Sequence, residues 1–241
     1  MLAGPHQGPF GHAPRFAFLD FAAGSGGQSR SGRLGTYGFI RNARLFVAGA
    51  ITRSAAQDHL YDYGYSLQKV VIELTRRGLG TCWLQAFERG RLRQELGVQP
   101  GEVVPAVVVC GHPAATESRR TRVVKSLAGS ARRKPWSALF FETASGSPLA
   151  DPFAAGPFRE PLEAVRLAPS GTNRQPWRVF ADLAAGTFDF YVKGRPAVDL
   201  GIAMAHFALV MGESGFAGQW TPQNPAPERP GLGYVISWQS S

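Results

Sequence analysis

The chain has 241 residues, of which 44% are hydrophobic, a composition typical of a soluble globular protein with a substantial core. Its longest apolar run, residues 103–110, is broken by Pro105 and is far shorter than the roughly 20 residues that span a membrane. The N-terminus lacks a basic start followed by an apolar core, so no secretory signal is visible. Two cysteines, Cys82 and Cys110, cannot make a disulfide framework, and we expect a reduced, cytoplasmic setting.

The net charge of +9 is concentrated in one basic segment. Residues 119–134 contain no acid and seven positive charges, carried by Arg119, Arg120, Arg122, Lys125, Arg132, Arg133 and Lys134. A local segment of this kind suits a phosphate or an acidic surface, so the charge alone does not indicate nucleic acid. The histidines and cysteines lack the spacing of metal ligands, and we expect no metal site.

The first half of the chain predicts short strands and amphipathic helices. In order, the elements are strands at 15–20 and 44–51, a helix at 64–77, a turn at 78–83, a helix through Leu92 and Leu96, and a strand at 103–110. The long helix is predicted because Leu67, Val70, Val71 and Leu74 share one face, and Gly78 is suited to end it.

The second half predicts the same kinds of element. A helix at 160–167 is ended by Pro169, which lacks a backbone donor, and the residues Ser170 to Asn173 then form a polar turn. Strands are predicted at 177–180 and 233–238. We expect three sections, a first half (1–118), a basic segment and linker (119–156) and a second half (157–241), which together form one compact unit.

An ungapped repeat links the two halves. Residues 62–83, DYGYSLQKVVIELTRRGLGTCW, align with residues 199–220, DLGIAMAHFALVMGESGFAGQW. Asp62, Gly64, Gly78 and Trp83 align with Asp199, Gly201, Gly215 and Trp220, and the apolar helix face repeats as well. A repeat of this length predicts two copies of one α+β unit, and two such units in one chain mimic a twofold-symmetric dimer.

Two motifs resemble those of a known family. The segment SGTNRQPW, residues 170–177, resembles the S-x-x-N-x-Q-P-W segment of the nitroreductases, flavoenzymes that bind FMN between two subunits. GLGTCW, residues 78–83, resembles that family's G-L-G-x-C-W turn. Their order resembles a single-chain branch in which two halves replace two subunits. The resemblance implies a nitroreductase-like α+β fold, an internal pseudo-dimer with mixed and antiparallel sheets flanked by helices.

The resemblance also implies residues that contact FMN. For the ribityl chain and the ring edge they are Ser170, Thr172, Asn173 and Gln175; for close backbone approach to the ring, Gly80, Thr81 and Cys82; for the phosphate, Arg120 and Arg122. The flavin carries the chemistry, so no catalytic side chain is expected. Each motif also has a purely structural interpretation. SGTNRQPW would be a well-capped turn, GLGTCW a helix C-cap with a core tryptophan, and Arg120 with Arg122 a solvated basic surface. Cys82 is expected to be a small buried side chain.

The halves have diverged unequally, which predicts one flavin site per chain. The first half keeps GLGTCW but has only GPFGHAPRF where the second has SGTNRQPW. The family's basic R-R-S-x-R arm is replaced in the second half by residues 132–136, RRKPW. By the symmetry of a dimer, we expect the arm of the first half to serve the retained site. Only 13 residues precede Pro14, so the chain is expected to be truncated or to lack part of its phosphate clamp.

The resemblance implies an NAD(P)H-dependent oxidoreductase that passes electrons from FMN to a nitroaromatic, a quinone or a similar small acceptor. We expect a pseudo-dimeric monomer that needs neither nucleic acid nor membrane, and further oligomers are possible. The alternatives are a degenerate or truncated flavin-binding or interaction protein without turnover, and a nucleic-acid-binding protein that uses residues 119–134. Missing aromatic residues in that stretch disfavour the second alternative.

Overall fold

The computed structural model describes residues 7–20, 45–85, 87, 89–113 and 132–241. The contacts between residues divide the chain into two units, Met1–Leu127 and Ala128–Ser241. The second unit therefore begins inside the segment that the sequence predicts as a linker.

The described part of the first unit is an antiparallel sheet with two helices. Its elements are β1 (Arg15–Asp20), β2 (Leu45–Thr52), α1 (His59–Arg76), β3 (Gly80–Leu84), α2 (Arg89–Glu95), β4 (Glu102–Val103) and β5 (Val107–Gly111). The strand order is β1-β2-β5-β3, and β4 pairs with β2. Pro105 lies between β4 and β5, so the single strand predicted at 103–110 is two strands, because proline cannot donate to a ladder.

The two helices of the first unit bury apolar residues in two separate clusters. Leu67, Val71 and Leu74 of α1 pack in one cluster with Phe16, Val47 and Tyr63. Leu92 of α2 and the following Leu96 pack in the other cluster with Phe46 and Leu84. The small residues predicted on β2 have a reason, because a Cβ at Gly49 would collide with the Phe16 ring. The amphipathic pattern of the sequence thus places this core correctly.

Gly78 ends α1 as predicted. Its φ of 78° is in the left-handed region, its N–H donates to Thr75 O (2.9 Å), and the N–H of Leu79 donates to Leu74 O (3.1 Å). These two bonds form a Schellman motif. The residues after Gly78 do not form the turn that the sequence predicts at 78–83. They form β3, which starts at Gly80 because the left-handed cap reverses the chain directly into the sheet.

The second unit has a five-stranded sheet. Its elements are β6 (Phe140–Glu142), α3 (Arg159–Leu167), β7 (Trp177–Asp182), β8 (Thr187–Val192), α4 (Ala197–Glu213), β9 (Gly218–Thr221) and β10 (Gly233–Ser240). The strand order is β6-β7-β8-β10-β9, in which β6 is parallel to β7 and the other pairs are antiparallel. Because β6 pairs with β7, part of the expected linker at 119–156 belongs to this sheet.

Each unit by itself repeats the same framework. The order β1-β2-β5-β3 of the first unit corresponds to β7-β8-β10-β9 of the second, with one long helix after the second strand in both. Gly215 ends α4 with a φ of 82°, and the N–H of Phe216 donates to Met211 O (2.9 Å), as at Gly78. The described structure therefore agrees with the sequence repeat, and the mixed α+β class is confirmed.

Within the described residues, each helix is too short or too polar to cross a membrane.

Candidate functional site

The turn between α3 and β7 has an unusual backbone. Thr172, Asn173 and Gln175 have φ values of 50°, 55° and 47°, although none of them is glycine. Left-handed backbone is uncommon for residues with a side chain, and each instance costs on the order of 1 kcal/mol or more. Three such residues among four consecutive positions indicate a turn whose shape is held by its surroundings.

A buried carboxylate on α4 holds the start of this turn. Asp199 Oδ1 accepts a hydrogen bond from the N–H of Gly171 (3.0 Å), and Asp199 is 5% exposed. Burial raises the pKa of Asp199, while the bond from Gly171 works in the opposite direction. Inside the turn, Ser170 Oγ accepts from the N–H of Gln175 (2.9 Å). The Thr172 hydroxyl donates to Gly171 O (2.8 Å).

The amide side chains of the turn hold the basic segment 132–134. Asn173 Nδ2 donates to Arg132 O (2.7 Å), and Asn173 Oδ1 accepts from Arg133 Nη1 (3.3 Å). Gln175 is 3% exposed, and its Oε1 accepts from the N–H of Lys134 (2.8 Å). Gln175 Nε2 also donates to Asn173 Oδ1 (3.0 Å). Asn173 and Gln175 therefore act first as supports for the three basic residues.

Positive charge gathers beside the turn. Burial, followed by the nearby charges of Arg178 and Lys193, lowers the pKa of Lys134. Burial, followed by the charge of Arg166, lowers the pKa of Arg133. The Lys134 ammonium donates to two backbone oxygens, Arg174 O (2.7 Å) and Gln175 O (3.2 Å). Cations that raise one another's cost of ionisation form a favourable site for an anion.

The structure places the basic segment of the second half against the turn of the same half. The physical reason is local: the amides of Asn173 and Gln175 need partners, and the backbone of residues 132–134 supplies them. That an arm of the first half serves this turn stays a prediction. Arg120 and Arg122, predicted to bind the phosphate, lie outside the described residues.

The other predicted residues, Gly80, Thr81 and Cys82, lie on β3 of the first unit. Within the described residues β3 is an edge strand, paired with β5 on one side. A Cβ at Gly80 would meet nothing closer than Gly111 O at 3.5 Å, so the protein itself does not require glycine there. Cys82 is exposed, and the expectation that it is buried is wrong, because its side chain lies on an edge strand.

Trp177 does not offer its ring to a ligand. It is fully buried in the core of the second unit, at the first position of β7. The strand period explains this burial, since Trp177, Val179 and Ala181 share the buried face.

The described residues fit the polar groups of FMN. Guanidinium and ammonium groups at Arg133 and Lys134 suit a phosphate, and the hydroxyls of Ser170 and Thr172 suit the ribityl chain. The lack of a side chain at Gly80 suits a ring that approaches the backbone of β3. Each unit by itself supplies groups that suit one part of FMN, the second unit for the phosphate and the ribityl chain and the first unit for the ring.

Sequence reasoning missed a polar cluster at the start of α1. Asp58 caps the helix by accepting from the N–H of His59 (3.0 Å), and it also contacts Ser54 Oγ and His12 Nε2 (2.9 Å for the histidine). The visible signal was a serine followed four and five residues later by Asp-His at a helix start.

Comparisons with known proteins agree with this fold. Residues 25–211, well over half of the chain, match the family model described as "Putative TM nitroreductase". The solved structure of a protein from Thermotoga maritima described as a putative nitroreductase matches with a TM-score of 0.58 and 19% identity. That match covers 99% of this chain and 79% of the Thermotoga chain, and it shows a common fold.

Two further structures match more weakly. A nitroreductase family protein from Clostridium novyi NT matches with a TM-score of 0.32 and 18% identity, over 42% of this chain and 62% of that one. An FMN- and NADPH-dependent nitroreductase mutant, derived from "sphigopyxis sp. strain HMH", matches with a TM-score of 0.28 and 23% identity, over 31% and 36% of the chains. None of the curated proteins matches this chain. By its family match, the chain belongs to the TM-type nitroreductase family.

Proposed function

We propose that the protein binds FMN and acts as an NAD(P)H-dependent oxidoreductase on a small acceptor such as a nitroaromatic or a quinone. The observation that carries the proposal is the basic segment 132–134, which the amides of Asn173 and Gln175 hold beside the polar turn. Such a cluster of cations suits an anion, and flavin is the typical cofactor of the nitroreductase family, so the FMN phosphate is the natural candidate.

Each proposed contact has a distinct task. Arg133 and Lys134 bind the phosphate, and Ser170 and Thr172 bind the ribityl chain, while Asn173 and Gln175 keep the basic segment in place. Backbone groups of residues 80–82 contact the ring, where an N–H donor stabilises negative charge. Arg120 and Arg122 remain proposed phosphate ligands. When bound, FMN accepts hydride from NAD(P)H and passes electrons to the acceptor.

The internal repeat is part of the proposal. The two units share a strand order, a helix C-cap and a buried aspartate on the long helix, which supports their origin as two copies of one unit. We propose that the chain works as a pseudo-dimer in the cytoplasm, with no need of a second copy, nucleic acid or membrane, and with one flavin for each chain.

The test is the flavin content of the purified chain, measured by visible absorption before and after incubation with FMN and desalting. Asn173→Gly removes the side chain at a position whose φ of 55° suits glycine, so the variant loses the contacts without added backbone strain. Gly80→Val adds a branched side chain to β3, where a Cβ meets only ordinary contacts, and valine favours strands. We expect the wild type to retain FMN and both variants to lose most of it.

A matched control separates charge at the turn from charge in general. Lys134→Gln removes a cation of the proposed phosphate site, whereas Arg159→Gln removes an exposed cation at the start of α3. We expect about a tenfold or larger loss of FMN affinity for the first and none for the second. A wild type that retains no flavin, or variants Asn173→Gly and Gly80→Val that both retain it, would show that the assignment is wrong.

Turnover distinguishes the enzyme from a flavin-binding protein without activity. The oxidation of NADH and NADPH by the FMN-loaded chain is followed with a nitroaromatic and with a quinone as acceptors. Oxidation that depends on both the acceptor and the flavin supports the oxidoreductase. Retained flavin without oxidation of either nucleotide would support the alternative of a degenerate family member.

A further inference from the structure

A cavity lies in the first unit, and its lining contains none of the residues assigned to the flavin. Its volume is about 460 Å³, within the usual range of small-molecule sites. The polar part of its lining includes Arg53, Ser54, His59 and Arg93, and the apolar part includes Leu60 and the segment 103–105. One cavity therefore combines two cations, a histidine and an apolar wall.

The histidine offers a fixed donor to this cavity. His59 is 4% exposed, and its Nδ1 lies 3.0 Å from the N–H of Ser54. Because a backbone N–H can only donate, Nδ1 is the acceptor, and the neutral ring carries its proton on Nε2. Burial is the largest cause that lowers the pKa of His59; the charges of His12 and Arg53 act in the same direction, and the charge of Asp58 opposes them. Within the described ranges, the hydrogen bonds of the ring are made by Nδ1.

The two arginines form no close ion pair in the described part of the protein, where neither Arg53 nor Arg93 has a carboxylate within ion-pair distance. The acid nearest in sequence to the cavity wall, Glu102, is engaged by Arg15, with Nη2 and Oε2 2.6 Å apart. Arg15, and to a smaller extent the charge of Arg93, lowers the pKa of Glu102. Two guanidinium groups that line one cavity with a histidine N–H donor favour an anion, and a carboxylate matches the guanidinium fork.

The apolar wall defines the rest of the ligand. Val104 is 8% exposed, and together with Leu60, Val103 and Pro105 it gives the cavity a side that cannot hydrogen-bond through side chains. An inorganic anion would leave this side unused. We propose that the cavity binds a small organic carboxylate with an apolar body, with the carboxylate on Arg53, Arg93 and His59 and the body against residues 103–105.

The proposal is tested by titrating the full chain with benzoate, using calorimetry, and with the uncharged isostere benzamide as a control ligand. We expect benzoate to bind about tenfold or more tightly than benzamide, because the carboxylate adds charge-assisted hydrogen bonds. Inorganic phosphate is expected to bind more weakly than benzoate, since it gains nothing from the apolar wall. Equal binding of benzoate and benzamide, or tighter binding of phosphate, would overturn the proposal.

Matched variants locate the site. Arg93→Gln alters an exposed side chain of α2 and is expected to fold and to weaken benzoate binding about tenfold. Arg91→Gln alters the same helix at a residue that does not line the cavity, and it is expected to bind like the wild type. His59→Gln removes the buried donor; if it fails to fold, Arg53→Gln gives the second measurement. If Arg93→Gln and Arg53→Gln both bound benzoate with wild-type affinity, the assignment of the carboxylate to these arginines would be wrong.

Competition with FMN distinguishes the proposed carboxylate cavity from the proposed flavin site. Benzoate is titrated into the chain with and without added FMN, and the same affinity is expected in both cases. Displacement of benzoate by FMN would place both ligands at one site and overturn the inference of a separate cavity. A chain that binds benzoate but no FMN would contradict the proposed function and leave this inference in place.

Discussion

The two units use one framework but fill it differently. In both, the long helix ends in a Schellman motif, and a buried aspartate near its start accepts hydrogen bonds from a loop that precedes a strand, β1 in the first unit and β7 in the second. Asp62 accepts from the N–H groups of Phe10 (2.9 Å) and His12 (2.8 Å), while Asp199 accepts from Gly171 (3.0 Å). The same helix position therefore holds two unrelated loops.

The difference lies in what the held loop carries. In the first unit the loop leads to a polar cluster of His12, Ser54 and Asp58, beside the proposed carboxylate cavity. In the second unit it carries the left-handed turn and supports the basic segment 132–134. Framework residues keep the fold, whereas loops acquire separate binding chemistry, as is usual for loops on a rigid scaffold.

The largest effect is expected on the edge strands. A Cβ at Gly218 on β9 would collide with Gln239 O and the Trp238 ring, whereas at Gly80 on β3 it would meet only ordinary contacts. We expect Gly218→Ala to lower the free energy of unfolding by about 3 kcal/mol through overpacking. Gly80→Ala should change it by less than about 0.5 kcal/mol. Urea unfolding measures both, and equal losses would contradict the comparison.

The buried aspartates give the next largest contrast. Asp62→Ala leaves two N–H groups without their acceptor, and we expect it to lower the free energy of unfolding by about 2 kcal/mol. Asp199→Ala leaves one N–H group, that of Gly171, without its acceptor. We expect it to lower the free energy of unfolding by about 1 kcal/mol and to weaken FMN retention, because the start of the turn is released. Thermal unfolding and the flavin assay of each variant are compared. A larger loss of flavin in the Asp62 variant would reverse the assignment.

Asp62 also predicts a pH dependence. Burial raises its pKa to about 6, although the bonds from Phe10 and His12 oppose this change. The folded chain thus holds this proton more tightly than the unfolded chain. The resulting stabilisation is full below the unfolded pKa near 4 and is lost as the pH rises through 6. Between pH 7 and pH 4, wild type should gain about 1–2 kcal/mol relative to Asp62→Asn. Urea unfolding of both chains tests this sign.

The smallest effect concerns an ion pair on α1 that α4 lacks. Glu73 Oε1 and Arg77 Nε are 2.7 Å apart on an exposed surface, and the aligned residues of α4 are Val210 and Ser214. Exposed ion pairs of this spacing contribute little to stability. Glu73→Gln should therefore lower the free energy of unfolding by less than about 0.5 kcal/mol, seen as a small drop in melting temperature. A large loss would reveal a contact of Glu73 beyond the ion pair.

The spacing of apolar residues and the positions of glycine and proline predicted most of the framework. The apolar face of Leu67, Val71 and Leu74 defined α1, and Gly78 correctly marked its end because only a left-handed cap suits that position. The aligned repeat predicted the same cap at Gly215. Proline ended α3 as expected. These features are local, and local sequence determines them.

The sequence could not show which segments meet. The contact of residues 132–134 with Asn173 and Gln175 joins positions about forty residues apart through amide hydrogen bonds, which leave no periodic signal. The burial of Trp177 and the exposure of Cys82 depend on the sheet face and on the edge position. The parallel pairing of β6 was hidden in a stretch with the composition of a linker.

The left-handed turn has a consequence for attempts to make the protein more heat-resistant. Thr172, Asn173 and Gln175 occupy backbone conformations that glycine adopts without strain, so replacement by glycine would relieve local strain. At Asn173 and Gln175 the same change would release the basic segment from its amide supports. Selection of variants for melting temperature alone would therefore favour chains with a relaxed turn and a weakened proposed flavin site, so that affinity for the proposed ligand falls as thermal stability rises.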